Sequence, residues 1–224
     1  MKLNKLLNIA AASAAFTLCS NSHATLILTG LFDGPLSGGT PKAIELFALA
    51  DIADLSAYGV ELASNADFTQ GAAETFFSGS ASAGDYIYVT ANDAEFTSVF
   101  GFAANFITGD VNHNGDDDFY IYGPGDTLID VWSGSDGVDN TGTESDILDS
   151  WAYRLNDTGP NPVFTASEWT IAPVDSLDGL DAAGTAAAIP FGTYTNSAVP
   201  EPSAYAFLAG LTGLAFVLAR RRRA

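Results

Sequence analysis

The sequence predicts an all-β sandwich with one short helix, flanked by an N-terminal signal helix and a C-terminal transmembrane helix. Short segments rich in aromatic and β-branched residues recur between clusters of turn residues, and residues 84–90 are the clearest of them. A single segment, residues 93–100, has apolar residues at helical spacing. The lone cysteine, Cys19, lies in the N-terminal segment, so no disulfide scaffold is expected in the mature chain.

Residues 1–24 have the three-part pattern of a secretory signal peptide. A lysine-containing start is followed by a largely apolar run over residues 6–18. Ser22 and Ala24 then place small residues at positions −3 and −1 of a cleavage site. We therefore expect signal peptidase to cut between Ala24 and Thr25; the alternative is a buried N-terminal helix.

The strands of the central domain, residues 25–181, are predicted from alternating apolar residues bounded by Gly, Pro, Asp and Asn. The helix is expected to begin after a cap at Asn92 or Asp93. A Gly-Pro-Gly-Asp turn at residues 123–126 predicts a hairpin. The strand candidates are residues 25–32, 41–49, 84–90, 119–122, 128–132, 149–155 and 167–171, with a turn leading into a strand at 54–62.

The C-terminal residues combine a proline-rich motif, an apolar run and a basic end. Residues 182–198 are small and polar and predict a stalk. The apolar residues 204–219 would form a helix of about 24 Å, slightly short for the ~30 Å core of a bilayer. Four terminal arginines would hold that end in the cytoplasm and leave the domain outside. The motif is Val199, Pro200, Glu201 and Pro202, and the membrane stop is Arg220, Arg221, Arg222 and Arg223.

In this order, the motif, apolar run and arginines of residues 199–224 resemble the PEP-CTERM sorting signal. The resemblance implies recognition by an exosortase, an intramembrane transpeptidase-like enzyme that cleaves near the motif. It also implies transient inner-membrane anchoring through the C-terminal helix, then a location at the cell surface, the outer membrane or the extracellular matrix. The alternative is an ordinary C-terminal membrane anchor that the mature protein keeps.

The mature domain is more acidic than the net charge of −19 suggests. Of the 8 basic residues, only Lys42 and Arg154 lie outside the two sorting segments, against nearly all 27 acidic residues. Such a surface repels phosphate, so nucleic-acid binding is excluded. It attracts divalent cations and keeps the domain soluble in an ion-rich medium.

A series of short motifs lies between residues 26 and 153, in the order Ile44-Glu45-Leu46, Asp54-Leu55-Ser56, Ala83-Gly84-Asp85-Tyr86, Asn114-Gly115-Asp116-Asp117 and Leu128-Ile129-Asp130-Val131. This order resembles that of the lamin-tail domain, which has an immunoglobulin-like β-sandwich. The resemblance implies a non-catalytic module that binds or scaffolds. The resemblance to PEP-CTERM proteins implies that this module works within extracellular polysaccharide.

Residues 110–118 have the alternating oxygen side chains of the first half of a calcium loop. An EF-hand would need a bidentate Glu where Ile121 stands, so this loop is not an EF-hand. The alternative is a simple turn with solvated acids. No cofactor is required. If the loop binds a cation, calcium is the ion it suits, and the candidate ligands are Asp110, Asn112, Asn114, Asp116 and Asp118.

A second acidic, glycine-rich stretch follows at residues 130–149. A cation that bridges Asp136, Asp139 and the first loop would order it; otherwise it would be a solvated flexible loop. Glu45 and Arg154 are expected to form a structural salt bridge.

Catalysis has little support, and the chain is not expected to be an enzyme. One alternative is a calcium-dependent glycan-binding module that stacks sugars on Trp132, Trp151 and Trp169, although tryptophans at strand spacing are more often packed in the core. Another is a metal-dependent hydrolase, which would need His113 in a pocket beside several carboxylates.

Overall fold

The computed structural model describes residues 25–64, 72–134 and 138–197, which form two β-sheets packed face to face. Within these ranges there are two short helices, α1 (Asp93–Phe100) and α2 (Ala182–Ala188). Single 3₁₀ turns lie at Leu55–Ala57, Gly109–Val111 and Ala166–Glu168. The strands are β1 (Leu26–Leu36), β2 (Thr40–Ala48), β3 (Gly59–Ala63), β4 (Thr75–Phe76), β5 (Tyr86–Thr90), β6 (Phe106–Ile107), β7 (Asp118–Gly123), β8 (Thr127–Trp132), β9 (Trp151–Arg154) and β10 (Trp169–Ile171).

The larger sheet has six strands in the order β10-β9-β1-β2-β5-β6, and the smaller has four in the order β4-β3-β7-β8. Strand neighbours are antiparallel except β5 and β6, which are parallel. The predicted all-β sandwich is therefore confirmed. It has a second short helix, α2, where one helix was expected. The predicted signal helix and C-terminal transmembrane helix lie outside the described residues.

The core between the sheets is built from alternate residues of the facing strands. Leu28 and Leu46 contribute from the larger sheet, and Ile121 and Trp132 contribute from the smaller one. All four are fully buried. Because strand side chains alternate between faces, the residues between them point away from this core.

The outer face of the larger sheet is covered as well. Helix α1 places Phe96 against Phe32 of β1, and Ile189 follows α2 into the same cluster. Gly101 ends α1 in a left-handed conformation, and its N–H bonds the carbonyl of Thr97. Strand β1 is consequently buried on both faces, which explains why its first seven residues form an almost unbroken apolar run.

Residues 182–197 pack against the sandwich rather than extending from it as the expected stalk. Asp181 caps α2 by accepting a hydrogen bond from the N–H of Gly184. Farther along the chain, Phe191 and Tyr194 lie against the outer face of the larger sheet. The segment that precedes the sorting motif is therefore part of the folded domain up to Ser197.

Candidate functional site

The aspartates of the predicted calcium loop are held by separate partners. Asp110 lies in the 3₁₀ turn and accepts hydrogen bonds from the hydroxyls of Thr75 and Thr108. Asp118 starts β7 and accepts a hydrogen bond from Asn140 Nδ2 at 2.8 Å. In the part of the chain that the structure describes, no three His, Cys, Asp or Glu side chains are grouped to hold a metal ion. Calcium binding by this loop stays a prediction. The carboxylates of Asp110, Asp116 and Asp118 do not form a group around one point, and the other proposed ligands are Asn112 and Asn114.

Gly115 lies where the two acidic loops cross. Its φ is +91°, and a Cβ there would lie 2.4 Å from the backbone nitrogen of Leu148. The Gly115 carbonyl accepts a hydrogen bond from Ile147 N–H at 2.8 Å. A glycine is needed here both for the left-handed backbone and for the close approach of the second loop.

The second acidic loop folds over Asp116. The Asn140 N–H donates to the Asp116 carbonyl at 3.1 Å, and the Thr141 hydroxyl donates to Asp116 Oδ2 at 3.0 Å. The exposed Asp139 accepts the Thr141 N–H through Oδ1 at 2.8 Å, so the Asp116 and Asp139 carboxylates bond the same threonine. Burial, and then the charge of Asp139, raise the pKa of Asp116. The structure thus brings Asp139 to the first loop, while Asp136 lies outside the described residues.

His113 is buried and is held as a neutral ring. The Gly115 N–H lies 3.2 Å from Nδ1, which must therefore accept, and Nε2 is left to donate to the carbonyl of Phe32 at 3.2 Å. Burial, followed by the charge of Lys42, lowers the pKa of His113 to about 3. Both ring nitrogens are engaged, so this histidine does not offer the open nitrogen that a metal ligand or a catalytic base requires.

The two basic residues of the mature domain form buried ion pairs. Lys42 Nζ lies 2.8 Å from Asp33 Oδ1 and also donates to the carbonyl of His113. Arg154 lies 2.6 Å from Asp130. Glu45, the expected partner of Arg154, lies on the other face of the sheet and bonds different groups, so that prediction is wrong.

Arg154 connects three elements around one buried carboxylate. Its Nε donates to the carbonyl of Leu28 at 2.7 Å, and its Nη1 lies 3.2 Å from the partly exposed carboxylate of Glu168. The guanidinium lies 4.4 Å from the centre of the Trp169 ring. Stacking, ion pairing and hydrogen bonding together make Arg154 an internal brace of the sandwich.

The three tryptophans do not form a common face. Trp132 and Trp169 belong to the core between the sheets, with ring centroids 4.9 Å apart. Trp151 packs on the outer face of the larger sheet and is partly exposed. It lines a surface depression of about 230 Å³ together with Thr170 and Thr193. The expected core packing therefore holds for Trp132 and Trp169.

A buried polar network that was not predicted centres on Glu45. This carboxylate is fully buried and accepts hydrogen bonds from the Thr29 hydroxyl at 2.7 Å and the Tyr153 hydroxyl at 2.8 Å. Its other oxygen accepts the N–H of Gly192. The Tyr153 oxygen in turn accepts the N–H of Thr193 at 3.0 Å and that of Tyr194 at 2.7 Å. Glu45 and Tyr153 thus hold residues 192–194 onto the sheet.

The C-terminal anchor, defined here as residues 191–197, continues beyond this network. The Tyr194 ring is fully buried against Phe47, and its hydroxyl donates to the carbonyl of Thr158. The Ser197 N–H donates to Asp157 Oδ1 at 2.6 Å. The isolated aromatic residues Phe191 and Tyr194, within a stretch of small polar residues, are the sequence feature that could have indicated this packing.

Replacing Tyr153 with Phe is expected to loosen the C-terminal anchor. The change removes the acceptor of two backbone N–H groups and one donor to Glu45, which costs about 1–3 kcal/mol locally. Hydrogen exchange at Thr193 and Tyr194 should therefore accelerate by about tenfold or more. Tyr58→Phe is the matched control, because it removes a hydroxyl that bonds Thr25, away from this network. Unchanged exchange in Tyr153→Phe would show that other contacts hold the anchor.

Comparison with known proteins identifies one segment of the chain. Residues 198–223 match the PEP-CTERM protein-sorting motif, which confirms the predicted sorting signal and supports an exported protein processed by an exosortase. No curated protein and no solved structure matches the chain. Among the described residues, no helix is both long and apolar enough to cross a membrane. The predicted span at 204–219 lies outside them.

Proposed function

We propose that this chain is a structural protein of the cell surface, outer membrane or extracellular matrix, delivered by exosortase sorting, with a non-catalytic sandwich of the lamin-tail type. The observation that carries the proposal is the position of the sorting motif. The match begins at residue 198, directly after Ser197, whose N–H is bonded to Asp157 of the sandwich. An enzyme that acts on the motif therefore delivers a folded domain without an intervening linker.

The use of the buried charges supports a structural role. Lys42 and Arg154 each neutralise a buried aspartate, and Glu45 holds the C-terminal anchor. These groups are saturated by internal partners, whereas catalytic groups need an open coordination or proton-transfer position. The same observation disfavours the hydrolase alternative, because the hydrolase would require an accessible His113.

The glycan-binding alternative has weaker support. Two of its three tryptophans, Trp132 and Trp169, are buried in the core and present no ring to solvent. Trp151 alone lines a depression, which is smaller than the roughly 300 Å³ at which small-molecule sites usually begin. We therefore propose that contact with extracellular polysaccharide, if the domain works within such a matrix, involves its acidic surface and not a three-tryptophan platform.

Replacing both Pro200 and Pro202 with Ala is expected to abolish C-terminal processing in a host that carries an exosortase. The intact mass of the wild-type protein should show a chain that begins at Thr25 and lacks the residues after the motif. The double variant should begin at Thr25 but keep the whole C-terminal segment. Pro162→Ala, an exposed proline far along the chain from the motif, serves as the control and should be processed normally. Equal tail loss in the double variant would contradict sorting through this motif.

A further inference from the structure

The side chain of Asp116 has one oxygen that the fold leaves unsatisfied. Asp116 is 9% exposed, and its Oδ2 accepts the hydrogen bond from Thr141. Its Oδ1 is buried and has no hydrogen-bond partner among the described residues. A buried carboxylate oxygen in this state costs free energy unless a proton or a cation binds it.

Asp139 lies beside Asp116, because both carboxylates bond Thr141. Asp139 is exposed and its Oδ1 accepts the Thr141 N–H at 2.8 Å, while the Thr141 hydroxyl donates to Asp116 Oδ2 at 3.0 Å. Two neighbouring carboxylates repel each other when both are ionised. Because Asp139 faces solvent, a cation can reach the pair without opening the fold.

The domain has no spare basic side chain to neutralise this pair. Of the two basic residues of the mature domain, Lys42 is committed to Asp33 and Arg154 to Asp130. His113 is neutral and engaged at both nitrogens. No basic side chain of the mature domain is therefore left to neutralise the Asp116 and Asp139 carboxylates. The strongly acidic surface also raises the concentration of cations near the protein.

We propose that a hard divalent cation, with calcium as the best-fitting ion, bridges the carboxylates of Asp116 and Asp139. Both ligands are oxygens, which calcium prefers. Two carboxylates are fewer than a dedicated protein cage provides, so water completes the coordination. The expected affinity is that of extracellular calcium modules, with a Kd of roughly 0.1–1 mM.

The bridge would join the second acidic loop to the turn that precedes β7. That connection already includes the hydrogen bonds from Asn140 to Asp118 and from Thr141 to Asp116. Calcium binding would replace the repulsion between the Asp116 and Asp139 carboxylates with the attraction of both to the bound cation. Its consequence is a more stable fold at millimolar calcium, which is independent of how the protein is sorted.

The test is thermal unfolding of the mature protein in 5 mM calcium chloride and in chelator, at equal ionic strength. The wild-type Tm should rise by about 2–4 °C with calcium. Asp139→Asn should lose this rise, and in chelator it should be at least as stable as the wild type because the repulsion is relieved. Asp126→Asn removes an equally exposed charge from the β7–β8 turn and should keep the rise.

Two outcomes would overturn the proposal. One is a wild-type Tm that calcium does not change. The other is a calcium-dependent rise that Asp139→Asn retains, which would assign the effect to general screening of the acidic surface. A rise that is lost in Asp139→Asn and kept in Asp126→Asn supports the bridge, because both variants remove one exposed negative charge.

Discussion

Replacing Arg154 with Met is expected to lower the free energy of unfolding by about 3–5 kcal/mol. Arg154 is 2% exposed and pairs at 2.6 Å with Asp130, which is completely buried. Methionine fills part of the volume but leaves the Asp130 charge without its ionic partner. Burial already raises the pKa of Asp130 to about 6 despite the neighbouring guanidinium, so the cost of this charge in the folded protein is substantial. Chemical denaturation at neutral pH measures the change.

Two further variants separate the ion pair from the rest of the site. Glu168→Gln removes the partly exposed partner of Arg154 and should cost less than about 1 kcal/mol. Adding Asp130→Asn to Arg154→Met should recover part of the loss, because no uncompensated buried charge remains. A loss in Arg154→Met that the double variant does not recover would show that lost packing on Trp169, and not the unpaired Asp130 charge, dominates.

The elements that were predicted well are those defined by local periodicity. The helix expected at residues 93–100 is α1, and the alternating aromatic segment at 84–90 contains β5. The turn at 123–126 joins β7 and β8 as expected. These features depend on residues a few positions apart, so the sequence pattern alone is sufficient to predict them.

The pairing of Arg154 could not be predicted without the strand register. Glu45 and Tyr153 are both paired with Gly30 across the sheet, so they lie in one row. The Tyr153 side chain bonds Glu45 on the outer face, and Arg154, the next residue along β9, must point to the inner face. There it meets Asp130 of the opposite sheet. Because basic residues are scarce in this acidic domain, the composition predicts that Arg154 forms an ion pair. The strand topology determines that its partner is Asp130 and not Glu45.

The candidate cation site was predicted only in outline. The hypothesis that Asp139 and the first acidic loop share a cation depends on two loops that are distant in sequence, and the structure brings Asp139 and Asp116 to the same threonine, Thr141. The alternating spacing of residues 110–118 does not by itself group the carboxylates, because each aspartate of this loop has its own partners in the fold. Asp110 lies in a 3₁₀ turn, and Gly115 packs against the backbone of Leu148 in the second acidic loop.

Raising the pH from about 5 to 8 is expected to lower the free energy of unfolding. Burial raises the pKa of Glu45 to about 7, and it raises the pKa values of Asp33 and Asp130 to about 6. Between the unfolded values, near 4, and these folded values, the folded protein holds protons that the unfolded chain has released. The resulting stabilisation is complete below the unfolded pKa values and disappears as the pH rises through the folded ones. Each titrating group contributes up to about 1.4 kcal/mol per pH unit in this window.

Glu45→Gln isolates the largest part of this dependence. The amide cannot titrate, so the decrease in stability between about pH 5 and 7 should become less steep, although the variant is less stable overall because an amide N–H₂ meets the Gly192 N–H or the Tyr153 hydroxyl. The slope with pH is therefore the measured quantity, from denaturation curves at constant ionic strength. Glu95→Gln changes an exposed carboxylate on α1 and should keep the wild-type slope. An unchanged slope in Glu45→Gln would mean that the carboxylate that holds the C-terminal anchor stays ionised throughout, with its three hydrogen-bond donors outweighing its burial.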